Sequence, residues 1–221
     1  MNLTITKENY IKAIYHLQQA EGNVSTNQLA ASLNTKPASV TDMLKKLTNK
    51  SLLDYEPYQG VRLSKEGKKQ ALSIVRKHRL WEFFLVEKLQ FGWDEVHEVA
   101  EELEHISSKK LVDKLDAFLG HPKFDPHGDP IPDSNGVMVS IKQFNLIDVK
   151  PGIPVELCNV GSQSAELLEL LKHKGIGIGT VLQVIRKFEF DHSVEIKIKN
   201  KSTITLSQQL AQVLFVKTSL I

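Results

Sequence analysis

The chain has 221 residues, of which 41% are hydrophobic and 24% charged, and its net charge is +2. Its length predicts two or three compact units, and its composition excludes a disordered or fibrous protein. The first ten residues lack the pattern of a signal peptide, and no apolar run is long enough to span a bilayer. The single cysteine, Cys158, cannot form an internal disulfide, which suits a reducing compartment. We therefore expect a cytoplasmic protein with no membrane partner.

The first third of the chain predicts three helices and a hairpin. Apolar residues recur at helical spacing in residues 6–19, with Thr6 as N-cap, and again in 25–33 and about 36–50. Two short strands, 52–55 and 61–63, flank a turn at 57–60. Helix, turn, helix and hairpin in this order are typical of a winged helix-turn-helix.

The middle third predicts three more helices. They cover residues 65–90, 93–107 and 109–119. Residues 120–136 contain four of the eight prolines and three of the twelve glycines, which predicts a linker or an ordered loop. Within this loop, His127 is interpreted as a residue that shapes the chain.

After Gly136 the sequence changes to short β-branched segments with a single helix at 164–172. This pattern predicts a small five-stranded barrel of SH3-like size. The predicted fold is mainly α in its N-terminal part, with a small C-terminal β-barrel. The predicted domains are a winged helix at 1–73, a helical metal-binding and dimerisation domain at 74–140, and an SH3-like, FeoA-like domain at 141–221.

Charge is distributed unevenly along the chain. Residues 36–79 hold eleven Lys/Arg and four Asp/Glu, a net of +7, and residues 93–116 hold three Lys and eight Asp/Glu, a net of −5. A basic segment beside an acidic one predicts a polyanion-binding surface and a cation-binding surface, although two solvated helix faces would show the same charges.

The third helix is the predicted DNA-reading element, because the second helix of a helix-turn-helix enters the major groove. Its apolar stripe faces inward, and the outward residues are Lys36, Ser39, Thr41, Asp42, Lys45 and Lys46. Arg62 and Lys65, on or just after the wing, are placed for the DNA backbone. A winged helix used only for protein contacts is the alternative, and the local charge of +7 argues against it.

Histidines and glutamates share faces on two of the predicted helices. His78 and Glu82 are four residues apart, and His97, Glu101, Glu104 and His105 stand at i, i+4, i+7 and i+8. Nitrogen and oxygen donors of this kind suit Mn²⁺, Fe²⁺ or Co²⁺ and disfavour Cu(I), and Zn²⁺ binds most such sites as well. The alternative is a solvated acidic face with incidental histidines.

Five stretches together resemble one family. They are ENYIKAIYHL, SVTDMLKKL, RKHRLWEFF, VHEVAEELEHI and FDPHGDPIP. In order and spacing, residues 6–135 resemble the diphtheria toxin repressor and manganese transport regulator family of metal-dependent repressors. Residues 137–221 resemble, mainly by pattern, the SH3-like third domain of its longer members.

The resemblance implies a homodimer in which metal favours the geometry that binds a palindromic operator. It assigns Asn9, Glu101, Glu104 and His105 to one metal site and His78, Glu82 and His97 to a neighbouring one, and Gln163 and Glu166 are candidate ligands from the third domain. Glu101 stands where iron-type members have Cys, as in the manganese type, whereas Asn9 matches neither type. We expect Mn²⁺ to be the bound metal, with Fe²⁺ as the alternative. Other divalent transition metals are expected to bind in vitro.

The expected function is metal-dependent repression of metal homeostasis genes, without enzymatic activity. In the metal-free protein the acidic side chains are expected to repel one another. A metallohydrolase would leave the winged helix unexplained. A metal-independent winged-helix regulator that senses a small molecule is the main alternative, and it predicts that a chelator leaves DNA binding unchanged.

Overall fold

The structure is a computed structural model that describes residues 3–56, 60–199 and 202–219. The chain divides into two compact units. The first comprises Met1–His78, Glu101–Gly120 and Pro132–Val137, and the second comprises Arg79–Ala100, His121–Ile131 and Met138–Ile221. One boundary between the units falls inside a long helix, between His78 and Arg79.

The winged helix predicted for the N-terminal part is confirmed. Its elements are α1 (Ile5–Glu21), α2 (Thr26–Ser32), α3 (Pro37–Thr48), β1 (Leu53–Glu56) and β2 (Gly60–Leu63). Helix α1 follows Thr4 rather than the predicted cap Thr6. Ser25 caps α2 through a reciprocal capping box with Gln28, and Pro37 opens α3 at a position where its missing N–H costs nothing.

The wing is an antiparallel pair, β1 with β2, and Val24 adds one further bridge to Val61. The core beneath it is built from the apolar stripes of the three helices, including Ile11, Ile14 and Leu47. The predicted turn at 57–60 falls largely on residues 57–59, which lie outside the described residues.

Three helices follow the wing: α4 (Lys65–Leu89), α5 (Val96–Leu103) and α6 (Lys109–Phe118). Helix α5 is shorter than the predicted 93–107. At its start, the side chain of Glu95 accepts a hydrogen bond from the N–H of Gly92, which closes a turn. At its end, the N–H of Ile106 donates to the carbonyl of Leu103, so the chain leaves the helix in a tighter turn. Glu104 and His105 lie in this turn. They therefore do not continue the helical face of His97 and Glu101 as the predicted spacing of i+7 and i+8 implied.

The C-terminal segment forms one antiparallel sheet of six strands and not the five predicted. The strands run in the order β3-β8-β4-β5-β6-β7. They are β3 (Phe144–Asn145), β4 (Pro154–Val160), β5 (Val181–Lys187), β6 (Val194–Ile198), β7 (Thr203–Leu206) and β8 (Leu214–Thr218). The additional strand, β3, has two residues, too few to produce a pattern in the sequence.

Helix α7 (Ala165–Lys174) starts after its cap Ser164, as expected from the predicted 164–172, and ends at a left-handed Gly175. A short helix that the sequence did not predict, α8 (Gln208–Gln212), precedes β8. The apolar faces of the sheet and of α7 form a core in which Leu157, Leu171 and Ile196 are fully buried.

Residues 121–131, in the predicted proline-rich loop, are ordered against β4. Gly128 has φ +90°, and a Cβ at this position would lie 2.0 Å from the carbonyl oxygen of Cys158, so only glycine fits. The N–H of Val160 donates to the carbonyl of His127. Among the helices of the described residues, none is both long and apolar enough to cross a membrane.

Candidate metal centre and nucleic-acid interface

Helix α3 presents one buried and one exposed face. Val40, Leu44 and Leu47 are buried. All six outward residues predicted to read DNA are exposed: Lys36, Ser39, Thr41, Asp42, Lys45 and Lys46. Arg62 and Lys65 are exposed as well.

Two local contacts organise this exposed face. The hydroxyl of Thr41 donates to the carbonyl of Pro37 at 3.0 Å, and Lys46 forms an ion pair with Asp42 at 2.6 Å, one helical turn away. Ser39 and Lys45 complete the face, so the helix offers a hydroxyl and ammonium groups to a polyanion.

The first candidate metal centre is called the Glu104 cluster, and all of its residues belong to the first unit. Its members are Glu8 and Lys12 of α1, His78 of α4, and Glu101, Glu104 and His105 at the end of α5. The side chain of Glu104 is 1% exposed. Its Oε2 lies 2.6 Å from Nδ1 of His78, and its Oε1 lies 3.8 Å from Nε2 of His105.

Lys12 occupies a central position in the Glu104 cluster. Its ammonium donates to Oε2 of Glu104 at 2.6 Å and to Oε1 of Glu101 at 3.4 Å, and it lies 3.3 Å from Nδ1 of His78. Burial alone would raise the pKa of Glu104, but the hydrogen bond from His78 and the charge of Lys12 outweigh it and lower this pKa below its usual value. Lys12 therefore offsets the repulsion expected among the acidic side chains.

Glu8 is the carboxylate of α1 that reaches His105, at 2.6 Å from its Nδ1. Asn9, the residue assigned from the sequence, is exposed and borders a cleft with Tyr10, Ser39 and Asp42. Sequence reasoning missed Glu8 although it precedes Asn9 in the same ENYIKAIYHL stretch, because the resemblance pointed to the next position.

The second candidate centre is called the Glu82 cluster, and all of its residues belong to the second unit. Its members are Glu82, His97, Asp125 and His127. The side chains of Glu82, Asp125 and His127 are fully buried, and one donor atom from each lies within 4.8 Å of the other two. Nδ1 of His97 lies 3.4 Å from Oε1 of Glu82. The two residues are thus close together, as expected from the resemblance, which assigns both to one metal site.

The two ring nitrogens of His127 have different surroundings. Nε2 lies 2.8 Å from the carbonyl oxygen of Trp93, which can only accept, so Nε2 carries the proton. Nδ1 is buried and has no hydrogen-bond partner among the described residues. The histidine interpreted as a loop-shaping residue therefore also faces Glu82, at 3.9 Å from its Oε2.

Negative charge accumulates in the Glu82 cluster. Burial, followed by the charges of Glu82 and Asp129, raises the pKa of Asp125 well above its usual value, and Arg79 opposes this effect. Oδ1 of Asp125 accepts hydrogen bonds from the N–H groups of His127 and Asp129, which holds the carboxylate in place. A fixed, desolvated carboxylate beside a second one fits a divalent cation, which would stabilise the charged forms of both.

The two candidate ligands from the C-terminal segment lie in different surroundings. The side-chain amide of Gln163 donates to Oδ2 of Asp129 at 2.8 Å. Glu166 is exposed in the first turn of α7.

His78 stands one helical turn before Glu82 on α4, and its Nδ1 contacts Glu104.

Both clusters offer imidazole nitrogens and carboxylate oxygens, the donor set of Mn²⁺, Fe²⁺ or Zn²⁺. Comparison with known proteins agrees with this chemistry. Residues 2–61 match the family model "Iron dependent repressor, N-terminal DNA binding domain", and residues 64–133 match "Iron dependent repressor, metal binding and dimerisation domain". Residues 144–218 match the FeoA domain.

Individual relatives agree with the family models. The HTH-type transcriptional regulator MntR of Oceanobacillus iheyensis is 34% identical over 122 residues, which are 55% of this chain and 82% of that protein. A solved manganese-dependent transcriptional repressor in complex with manganese is 32% identical, with a TM-score of 0.86 over 96% of this chain and all of that one. ScaR with bound Cd²⁺ is also 32% identical, with a TM-score of 0.80 over 96% of this chain and 99% of that one.

A DNA-binding winged helix, clusters of metal-type donors and a FeoA domain thus occur in one chain, in this order. The chain is therefore a metal-dependent DNA-binding transcriptional repressor, not an enzyme, and it belongs to the family of the iron-dependent repressors and the manganese regulator MntR.

Proposed function

We propose that this chain is a manganese-responsive repressor that binds a palindromic operator as a homodimer and controls metal homeostasis genes. The Glu104 cluster carries the proposal, because it joins α1 of the winged helix to the residues that follow α5. The contact of Glu8 with His105 and that of Lys12 with Glu104 both cross this junction. A change in the cluster therefore acts on the position of α1 within the winged helix.

Within this cluster, we assign Glu101, Glu104 and His105 as the residues that hold the metal. Glu8 takes Nδ1 of His105 and leaves Nε2 turned toward Oε1 of Glu104. A carboxylate on the second nitrogen of a ligating histidine fixes the orientation of the ring and strengthens the ligand. Asn9 remains a predicted ligand, and comparison of Glu8 and Asn9 variants distinguishes the two residues of α1.

A bound divalent ion supplies the positive charge that draws these donors together. The chain's own residues would convert this into DNA binding: Glu8 and His105 restrain α1, α1 packs with α2, and α2 packs with the reading helix α3. Metal thereby favours one arrangement of the two reading helices of a dimer, which must meet successive major grooves of a palindrome. Metal and DNA then strengthen each other's binding by the same factor.

For the second site we assign the Glu82 cluster, and His78 remains a predicted ligand. The buried carboxyl group of Asp125, held by two backbone N–H groups, and the buried Nδ1 of His127, which has no hydrogen-bond partner among the described residues, support this assignment. Gln163 and Glu166 remain predicted ligands, and the present partner of the Gln163 amide is Asp129.

The choice of Mn²⁺ over Fe²⁺ rests on the donors. Glu101 and Glu104 offer carboxylate oxygens and no thiolate, and hard oxygen ligands suit Mn²⁺. One of the similar solved structures contains manganese. Fe²⁺, which binds similar donors somewhat more tightly, is the competing ion.

DNA contacts are assigned to the exposed face of α3 and to the wing. The assigned residues are Lys36, Ser39, Thr41, Asp42, Lys45, Lys46, Arg62 and Lys65. The proposed domains keep the boundaries 1–73, 74–140 and 141–221, with dimerisation in the second.

The test is selection of binding sites from a random DNA pool by chelator-treated protein, at fixed salt. Parallel selections contain no metal, Mn²⁺, Fe²⁺ under anaerobic conditions, Co²⁺ or Zn²⁺. A palindromic site enriched at the lowest concentration of Mn²⁺ supports the proposal. Equal enrichment without metal would favour the metal-independent regulator instead.

A further inference from the structure

We propose that Lys12 is a built-in counter-cation of the Glu104 cluster, which competes with divalent metal and raises the metal concentration at which the repressor responds. The inference rests on the proposed function, since it concerns the same cluster. It assigns a sensitivity-setting role to a residue that cannot be a ligand while it is charged.

The ammonium of Lys12 lies among the side chains that are candidate metal ligands. Its side chain is 12% exposed, and its ammonium lies within 3.4 Å of Glu101, Glu104 and His78. These three side chains come from α4 and the end of α5, far from Lys12 in sequence. Glu8 stands four residues before Lys12, so both project from the same face of α1.

Glu104 divides the cluster into two sides. Oε1 faces His105, whereas Oε2 is shared by Lys12 and His78. A divalent cation held by Oε1 and His105 would leave the ammonium in place but be repelled by it. A cation that also uses Oε2 and Glu101 has to displace the ammonium from these oxygens.

The balance of charge explains why this competition matters. Glu8, Glu101 and Glu104 bring three negative charges, and the ammonium of Lys12 brings one positive charge into the cluster, with a second on Lys77, 4.0 Å from Glu8. These positive charges offset most of the negative charge, so the attraction that the metal-free cluster exerts on a further cation is reduced. Removal of the Lys12 charge leaves the donors intact and restores this attraction.

The experiment measures Mn²⁺ binding to full-length Lys12→Met by equilibrium dialysis, with the wild type and Lys7→Met as references. Lys7 lies on the same helix and carries the same charge. We expect Lys12→Met to bind Mn²⁺ about tenfold more tightly or better, because repulsion between like charges a few ångströms apart in a partly buried site exceeds this factor. Lys7→Met should bind as the wild type does.

Thermal unfolding adds a readout that does not depend on DNA binding. With EDTA, Lys12→Met should melt below the wild type, because Glu104 loses its buried cation. With saturating Mn²⁺, the upward shift in Tm should be larger for Lys12→Met than for the wild type. If Lys12→Met fails to give a folded circular dichroism spectrum, Lys12→Gln takes its place with the same expectations.

The outcomes separate the two proposals. Unchanged or weaker Mn²⁺ binding by the neutral Lys12 variants, beside a wild type that binds, overturns the counter-cation role and leaves the proposed function standing. Absence of Mn²⁺ binding in the wild type and in Lys7→Met overturns the proposed function itself.

Discussion

The Glu104 cluster and the Glu82 cluster use the same donor types but differ in how their charge is compensated. In the Glu104 cluster, His78 and Lys12 lie against the buried carboxylate, and its pKa is lowered despite burial. In the Glu82 cluster, burial and the neighbouring carboxylates raise the pKa of Asp125 well above its usual value, although Arg79 opposes them. In the first cluster Lys12 contacts the buried carboxylate directly, whereas in the second the charge of Arg79 does not outweigh burial and the neighbouring carboxylates.

This difference indicates two roles for metal. At the Glu104 cluster, we expect metal to compete with an internal cation, so binding there would depend on metal concentration and suit a sensor. At the Glu82 cluster, we expect metal to relieve an existing electrostatic cost, so binding there would stabilise the fold of the second unit. Substitutions of the two central glutamates should therefore have opposite effects on the metal-free protein.

Glu104→Gln should have the largest effect. Loss of this carboxylate leaves Lys12 and His78 facing a neutral amide and removes the residue that links the donors. We expect the gain in DNA affinity on Mn²⁺ addition to fall by about 100-fold, near the upper end of usual couplings. The Tm of the metal-free protein should also fall. Fluorescence anisotropy with a selected operator and calorimetry measure the two effects.

Glu102→Gln is the matched control, since Glu102 is exposed near the end of α5, two residues before Glu104. Charge reversal by Glu104→Lys should likewise abolish metal-dependent DNA binding. Full metal-dependent binding by either Glu104 variant would contradict the role of this cluster.

Glu82→Gln should weaken Mn²⁺ binding by about tenfold and raise the stability of the metal-free protein by on the order of 1 kcal/mol. The amide can still accept from His97, while the buried negative charge beside Asp125 disappears. In a chain of this size, the Tm with EDTA should rise by about 2–4 °C. Glu87→Gln, at an exposed position of α4, serves as the control. A fall in Tm for Glu82→Gln, without one for Glu87→Gln, would contradict the electrostatic cost assigned to the Glu82 cluster.

Glu8→Gln and Asn9→Ala sharpen the assignment within α1. Glu8 holds His105, so its neutral variant should weaken Mn²⁺ binding by about tenfold, within the range seen for residues that orient ligands. Asn9 is exposed at a separate cleft, so its variant should bind Mn²⁺ about as the wild type does. Equilibrium dialysis decides between them, and the reverse order of effects would favour Asn9 as the ligand.

Lys45→Ala should have the smallest effect. Lys45 is exposed on α3, and loss of one phosphate contact should reduce the slope of log affinity against log salt by about one. Lys114→Ala, at an exposed position of α6, should leave the slope unchanged. Equal slopes for the wild type and Lys45→Ala would place the DNA-binding face elsewhere.

Much of the fold followed from periodic patterns in the sequence. Helical spacing predicted the winged helix and α4, and it placed Glu101, Glu104 and His105 near one another. The two-residue β3 and the five-residue α8 were missed, because elements of this length are too short to show a period.

The parts of the sites that the sequence did not predict depend on distant pairs. Lys12 meets Glu104 across 92 residues, and no spacing rule connects them. Asp125 and His127 lie in a loop without periodicity, and they reach Glu82 only because this loop packs on β4 through Gly128. Local pattern identifies donors on helices, whereas tertiary packing decides which donors and cations meet.

The most direct test of metal-dependent DNA binding is titration of Mn²⁺ into chelator-treated wild-type protein with a labelled selected operator, at fixed salt. Fluorescence anisotropy would report operator affinity at each free Mn²⁺ concentration. We predict that affinity rises by about 100-fold between the metal-free and the saturated protein, as expected for a coupling of about 3 kcal/mol. The same affinity at both ends of the titration would contradict the assignment of the Glu104 cluster as the switch.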